Sequence, residues 1–219
     1  MTNQNANPSV NPADNDSLVG MMRQVLGKFL LNVDDMIPAR VVAFDRAQNR
    51  VQVQPLIKMV TTSGDLVSRS NVASVPVFQL SGGGFVLNFP LKSGDYGWLK
   101  ANDRDISLFL QSYSEEKPNT FRKHSFEDGV FFPDIMRGYT IASEDSDNVV
   151  LQNYDGSVRI SLFENKVKIT APTIEMNTTT LAVTGTITAG VDVITNGISL
   201  KTHLHSGVMS GGSNTGGPI

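Results

Sequence analysis

The 219-residue sequence predicts a mainly β protein: a small N-terminal barrel, then a narrow needle of short strands shared among several chains. Three observations predict it. From Ile37 onward apolar residues recur at a period of two, whereas helical spacing is confined to one stretch near the N-terminus. All 16 aromatic residues lie at or before Phe163, so the last 56 residues contain none. Between 171 and 200 there are eight Thr and only two charged residues, Glu175 and Asp192. Aromatic side chains each bury ~150–250 Å² and usually dominate a globular core, so a long stretch without them is either unfolded or built around a very narrow core. Thr and Val suit an extended backbone, and disorder would bring charge or low β-propensity, so the narrow core is the better reading.

Composition excludes several functional classes. Lys and Arg number 18 against 21 Asp and Glu, a net charge of −3, which lacks the basic face that a nucleic-acid binder needs. Cys is absent, so disulfides, thiolate metal sites and Cys nucleophiles are excluded. No apolar run approaches the ~20 residues of a membrane-spanning helix. The opening MTNQNANPSVNPADNDS has neither the basic nor the apolar region of a signal peptide. The chain is therefore expected to stay in the cytosol unless an assembly carries it out.

Taken in order, residues 1–16 are rich in Asn, contain two Pro and read as a disordered arm. Segment 17–36 holds the helix: Asp16 or Ser17 caps it, and it runs to about Leu31 with Leu18, Met21, Met22, Val25, Leu26, Phe29 and Leu30 on one face. Gly20 and Gly27 weaken it, so it needs a packing partner. A polar face of only Arg23 and Lys28 offers little attraction to anionic lipid, which favours docking on a domain or a neighbouring subunit.

From Ile37 the period is two: Val41 and Ala43, then Val51 and Val53, alternate with polar neighbours across the hairpin connection Asp45-Arg46-Ala47-Gln48-Asn49, and further strands follow at about 52–60, 71–80, 85–89 and 95–101. Short strands punctuated by Gly82-Gly83-Gly84 and Ser93-Gly94 suggest a closed or nearly closed barrel over 37–111, the size of a five-stranded OB-like fold. Residues 112–139 read as a linker, 140–202 as the shaft and 203–219 as the tip and tail. A phosphate loop at Gly82-Gly83-Gly84 would need a following helix, and Phe85-Val86-Leu87 is a strand, so the glycines form a hairpin tip. The three histidines, His124, His203 and His205, have no nucleophile and orienting group beside them. No catalytic or cofactor-binding set is expected, and the protein is read as a non-enzyme.

In the shaft, apolar residues fall in groups spaced by two: Val158/Ile160/Leu162, Val167/Ile169, Ile174/Met176, Leu181/Val183, Val191/Val193 and Ile198/Leu200. Each short strand has one apolar face too narrow to form a core alone, so it must stack on copies of itself. A single-chain β-helix with coils of about 20 residues would have only about three coils here. Three identical chains wound together bury all three stripes on one axis and leave no long free edge. An intertwined homotrimeric β-helix or β-prism is the expectation.

The shaft ends in Lys201-Thr202-His203-Leu204-His205. In an extended strand, residues i and i+2 point to the same side, so His203 and His205 would face one way. One chain supplies two imidazoles, and threefold symmetry makes six. Imidazole suits Fe, Ni, Cu and Zn, and six-coordination disfavours Zn. His203 and His205 are the candidate metal ligands.

This order of parts resembles the central membrane-piercing spike of contractile-tailed bacteriophages. The stretch Phe89-Pro90-Leu91-Lys92-Ser93-Gly94-Asp95-Tyr96-Gly97-Trp98, with Arg104-Asp105-Ile106, is similar to the N-terminal domain of that family. So is Arg122-Lys123-His124-Ser125-Phe126-Glu127-Asp128-Gly129-Val130. Ser206 to Ile219, with Gly216-Gly217-Pro218, is similar to the tail after the metal pair. The resemblance covers about 37–219. It implies a structural virion protein at the tip of the tail baseplate, assembled in the host cytoplasm. Its N-terminal barrel would dock on the tail hub, and its needle would pierce the host outer membrane when the sheath contracts. It further implies one iron per trimer, octahedral, held by His203 and His205 of each chain. Some members carry a lysozyme domain between barrel and shaft, and 112–139 leaves no room for one. The alternative is a trimeric β-helical tail fibre that binds a receptor or glycan. Such fibres need aromatic platforms and paired carboxylates, and this shaft has few acids and no aromatics after Phe163.

Overall fold

The computed structural model describes residues 17–30, 33–61, 63–204, 207 and 211. The expected arm 1–16, His205 and nearly all of the tail after it lie outside the described residues. The chain is mainly β and divides into two units, 1–143 with 154–156, and 144–153 with 157–219.

The first unit opens with helix α1 (Leu18–Leu30), and Leu31, the expected end of the helix, lies outside the described residues. Ser17 caps it as the sequence predicts, its Oγ accepting from the Gly20 N–H at 3.0 Å. Strands β1 (Met36–Asp45), β2 (Arg50–Pro55), β3 (Met59–Val60), β4 (Leu66–Val67), β5 (Val72–Pro76), β6 (Leu80–Gly82), β7 (Phe85–Leu87) and β8 (Tyr96–Asn102) follow. A one-turn helix α2 (Phe109–Ser112) and strand β9 (Ser125–Pro133) complete the unit.

Five strands make one antiparallel sheet in the order β5-β2-β1-β8-β9. Register shifts between Val41 and Ala43, and between Lys100 and Asn102, mark bulges that strengthen the twist. The curled sheet brings its two ends together: Val77, just after β5, bridges Phe131 of β9, and the Phe78 N–H donates to the Phe131 carbonyl at 2.8 Å. The result is a nearly closed barrel. Alternate residues fill it, with Ala39, Val41, Val51, Val53, Val75, Val77, Leu99 and Phe131 all buried. Small β-branched side chains fit this interior because a five-stranded barrel is narrow, and Phe131 is its single large plug.

The structure corrects one boundary. Residues 112–139 are not all linker, since β9 forms an edge of the barrel and supplies Phe131. Glu127-Asp128-Gly129 falls inside the expected linker, where Asp and Gly offer little β-propensity. In the fold Asp128 is buried and bonded to Arg122 Nη2 at 2.9 Å, while a Cβ on Gly129 would lie 2.7 Å from the Lys100 carbonyl oxygen. The missing side chain allows two strands to approach closely.

Gly97 has the same role opposite the plug. A Cβ there would fall against the Phe132 carbonyl and 2.5 Å from the Phe131 ring. Gly97→Ala is expected to destabilise the barrel by about 2–3 kcal/mol, the upper range for overpacking, because backbone must move. Denaturant unfolding of the two proteins, followed by Trp98 fluorescence, measures the difference.

The second unit begins with a 3-10 turn (Ser143–Asp145) and the meander β10 (Val149–Gln152), β11 (Arg159–Leu162) and β12 (Val167–Thr170). It ends in the hairpin β13 (Ile194–Thr195) and β14 (Ile198–Ser199). Asn196 (φ 48°) and Gly197 (φ 80°) form its two-residue turn, where positive φ at both positions matches the twist of the strands. The expected strands at Ile174/Met176, Leu181/Val183 and Val191/Val193 are not formed: 171–193 carries no strand. Propensity alone does not make a strand, because a ladder needs a neighbouring backbone and one chain offers none there.

Candidate functional sites: an apolar sheet face and a histidine end

The meander β10-β11-β12 is amphipathic in an unusual sense. Its register aligns Val149, Leu162 and Val167 in one row, and Leu151, Ile160 and Ile169 in the next. These six side chains share one face by the period-two rule, and all are between 39% and 70% exposed. The other face is polar and carries an ion-pair network. Ser161 is fully buried there. Arg159 Nε donates to Asp145 Oδ2 at 2.7 Å and Arg159 Nη2 to Glu144 Oε1 at 2.5 Å. Lys168 Nζ reaches Glu144 Oε2 at 2.7 Å. Lys168, and then Arg159, hold the Glu144 carboxyl below its ordinary range by hydrogen bonding to the charged form. A lone chain thus covers its polar face and presents its apolar face to solvent. Further along, Ile174, Met176, Leu181, Val183, Ile187, Val191 and Val193 are exposed as well.

At the far end of the unit, Asp192 fastens the β13–β14 hairpin. Its Oδ1 accepts from the Val193 N–H at 2.8 Å and the Lys201 N–H at 3.1 Å. A hydrogen bond with Ser199 is the chief cause holding its carboxyl below the ordinary range. After β14 the backbone turns: the His203 N–H donates to the Ser199 carbonyl at 3.0 Å, and Thr202 N–H to Ser199 Oγ at 3.0 Å. The expectation of an extended strand through His203 is corrected here, because Ser199 offers both a carbonyl and a hydroxyl that pull the chain into a turn.

That turn orients the His203 ring. Nδ1 lies 3.1 Å from the Ser199 carbonyl and 3.1 Å from that of Leu200. Carbonyls only accept, so in the neutral ring Nδ1 carries the proton and Nε2 keeps the lone pair. Histidines that ligate metals are commonly fixed this way, with the second ring nitrogen donating to a backbone carbonyl. The donor chemistry of His203 therefore fits a transition metal. His205, the other candidate, lies outside the described residues. Among the described residues of one chain, no three His, Asp or Glu side chains converge on a point that would hold an ion.

His124 is in the other unit, ahead of β9, with Nδ1 3.9 Å from Asp103 Oδ1. Close by is a polar cluster around Asp105, which from sequence is expected to face solvent beside a loop and is instead buried. Asp105 accepts from the Ser107 N–H at 2.9 Å, the Thr120 hydroxyl at 2.7 Å and Arg122 Nη2 at 3.3 Å. Bonds from Ser107 and then Thr120 hold the Asp105 carboxyl far below its ordinary 3.8. Burial instead raises Asp128. The cluster ties the loop before β9 to the barrel. Only the pair Asp105 and Arg122, 17 residues apart, hinted at it. Because Asp105 is depressed in the fold, its contribution is present above pH 3.8 and is lost as pH falls below that value. Asp128 works in the opposite sense, favouring the fold once protonated. Thermal melts from pH 5 down to pH 2 should show a steep loss below 3.8 that Asp105→Asn flattens.

Comparison with known families decides what these parts belong to. The family model described as phage protein Gp138 N-terminal domain matches residues 37–134, from the start of β1 to the residue after β9. The model described as GpV Apex motif matches residues 197–218, which include His203 and His205. Both are families of phage baseplate spike proteins, and the two matches support a phage central spike. No curated protein matches the sequence. The spike is a structural, virion-associated protein of the tail baseplate, and the first match covers the whole barrel, including the strand that sequence reading assigned to a linker.

Proposed function

We propose that three copies of the spike intertwine into a narrow needle that pierces the host outer membrane when the tail sheath contracts. The apolar face of β10-β11-β12 carries this reading. Six aliphatic side chains in two rows are left exposed by the described residues, and three such faces meeting on an axis make a dry core without aromatics. The exposed apolar groups over 171–193 extend the same stripe, and partner chains would supply the ladders that one chain lacks. The barrel, of the OB type, docks on the hub and positions the needle. The role is mechanical, not enzymatic: shared strands make fraying of one chain costly to all three.

His203 and His205 of each chain would together hold one metal, iron by family resemblance, as six neutral imidazoles that converge without charge repulsion. Once bound, the metal supplies a crosslink among the three chain ends. The Nδ1–H bond of His203 to backbone carbonyls fixes the ring nitrogen available for this. Light scattering at micromolar concentration should give three times the 23.7 kDa chain mass, with one iron per three chains by elemental analysis. A mass of one chain overturns the needle. A trimer without stoichiometric metal overturns the pinned end alone.

A further inference from the structure

The helix α1 belongs to neither matched family segment, and its eight apolar side chains are all exposed, between 56% and 73%. Leu18, Met22, Val25 and Phe29 follow the four-three-four spacing of a heptad seam. Val19, Leu26 and Met21 flank that seam, so the apolar face is about half of the helix, wider than the stripe of a two-stranded coil. Arg23, Gln24, Lys28 and Leu30 occupy the rest, and the helix has no acidic residue. At 13 residues with two internal glycines it is too short to be stable alone in water. The seven side chains of this face, at roughly 60–120 Å² each, approach the ~800 Å² per partner of a standard interface.

We infer that α1 packs in parallel against the α1 helices of two other copies, forming a short three-helix bundle that clamps the N-terminal end of the spike. This inference rests on the trimer reading. Only five residues separate α1 from β1, so a trimer holds its three helices at an effective concentration of about millimolar, where a bundle too weak to form from free chains forms. Seam positions would then meet near the axis, with Arg23 and Gln24 outside. Two cations per helix are too few to favour a membrane surface instead.

The absence of cysteine makes the test direct. Val25→Cys lies on the seam and Gln24→Cys on the polar face. Under mild oxidation of the full-length protein, Val25→Cys should shift most of the chains to a two-chain band on a denaturing gel, and Gln24→Cys should leave them single. Light scattering on the same samples separates the two readings. A trimer in which Val25→Cys crosslinks no more than Gln24→Cys overturns the bundle and leaves the needle standing. A one-chain mass overturns both. Val25→Asp guards against disulfide strain: it should remove the helical circular dichroism of α1 while the protein stays trimeric through its shaft. Sedimentation of the trimer with phosphatidylglycerol vesicles, abolished by Val25→Asp, would assign the face to lipid and overturn the bundle.

Discussion

If three copies share the proposed core, Ile160→Asp is expected to abolish trimer assembly while the barrel remains folded. Ile160 sits at the centre of the apolar face, between Leu151 of β10 and Ile169 of β12. In the trimer the substitution loses an aliphatic burial and places three carboxylates around one axis with no cation on that face. Lost burial and desolvation together cost at least about 3 kcal/mol per chain, felt three times over in one assembly. Arg159 and Lys168 cannot rescue it, because both are engaged with Glu144 on the opposite face. Light scattering should move from three chain masses to one, and Trp98 fluorescence should be unchanged because Trp98 belongs to β8 of the barrel. Ile160→Leu, equal in size and polarity, should retain the trimer. A trimeric Ile160→Asp protein would show that the face is not a shared core.

The second large effect is expected at the histidine end. The double change His203→Ala, His205→Ala should abolish metal binding, from one ion per trimer to none, and expose the C-terminal end to protease, with barrel and upper shaft still trimeric. His124→Ala should leave the metal in place, since His124 lies in the barrel unit against Asp103. The turn at Ser199 gives a finer measurement. Ser199→Ala removes the hydroxyl that accepts from Thr202 and bonds Asp192, loosening the ring orientation while leaving both ligands present. Metal affinity should fall by about 10–100-fold, the usual effect of disturbing the groups that orient a metal ligand. Metal retention in the double variant, or loss in His124→Ala, would move the site elsewhere.

Much of this was legible in one dimension because its cause is local. Ser17 caps α1 since a hydroxyl at a helix start satisfies an orphan N–H. Strands β1 and β2 alternate because one face of each fills the barrel. Asn196-Gly197 turns because both residues accept positive φ. The last 56 residues exclude a thick core through composition alone, and His203 stands out because histidine is rare in the chain. What the sequence by itself determined, then, is periodicity, punctuation and the candidate ligands.

Three features were decided only by tertiary structure. Glu127-Asp128-Gly129 is strand within the expected linker, because Arg122 pairs with buried Asp128 and the Lys100 carbonyl leaves no room for a side chain at Gly129. Residues 171–193 carry no ladder, because a strand is a property of a pair of backbones and not of one. His203 is aimed by Ser199 and Leu200 carbonyls, which no i, i+2 count describes. In each case the outcome depends on a hydrogen-bond partner distant in sequence or set by a local fold, and a pattern of side-chain types records preference without recording partners.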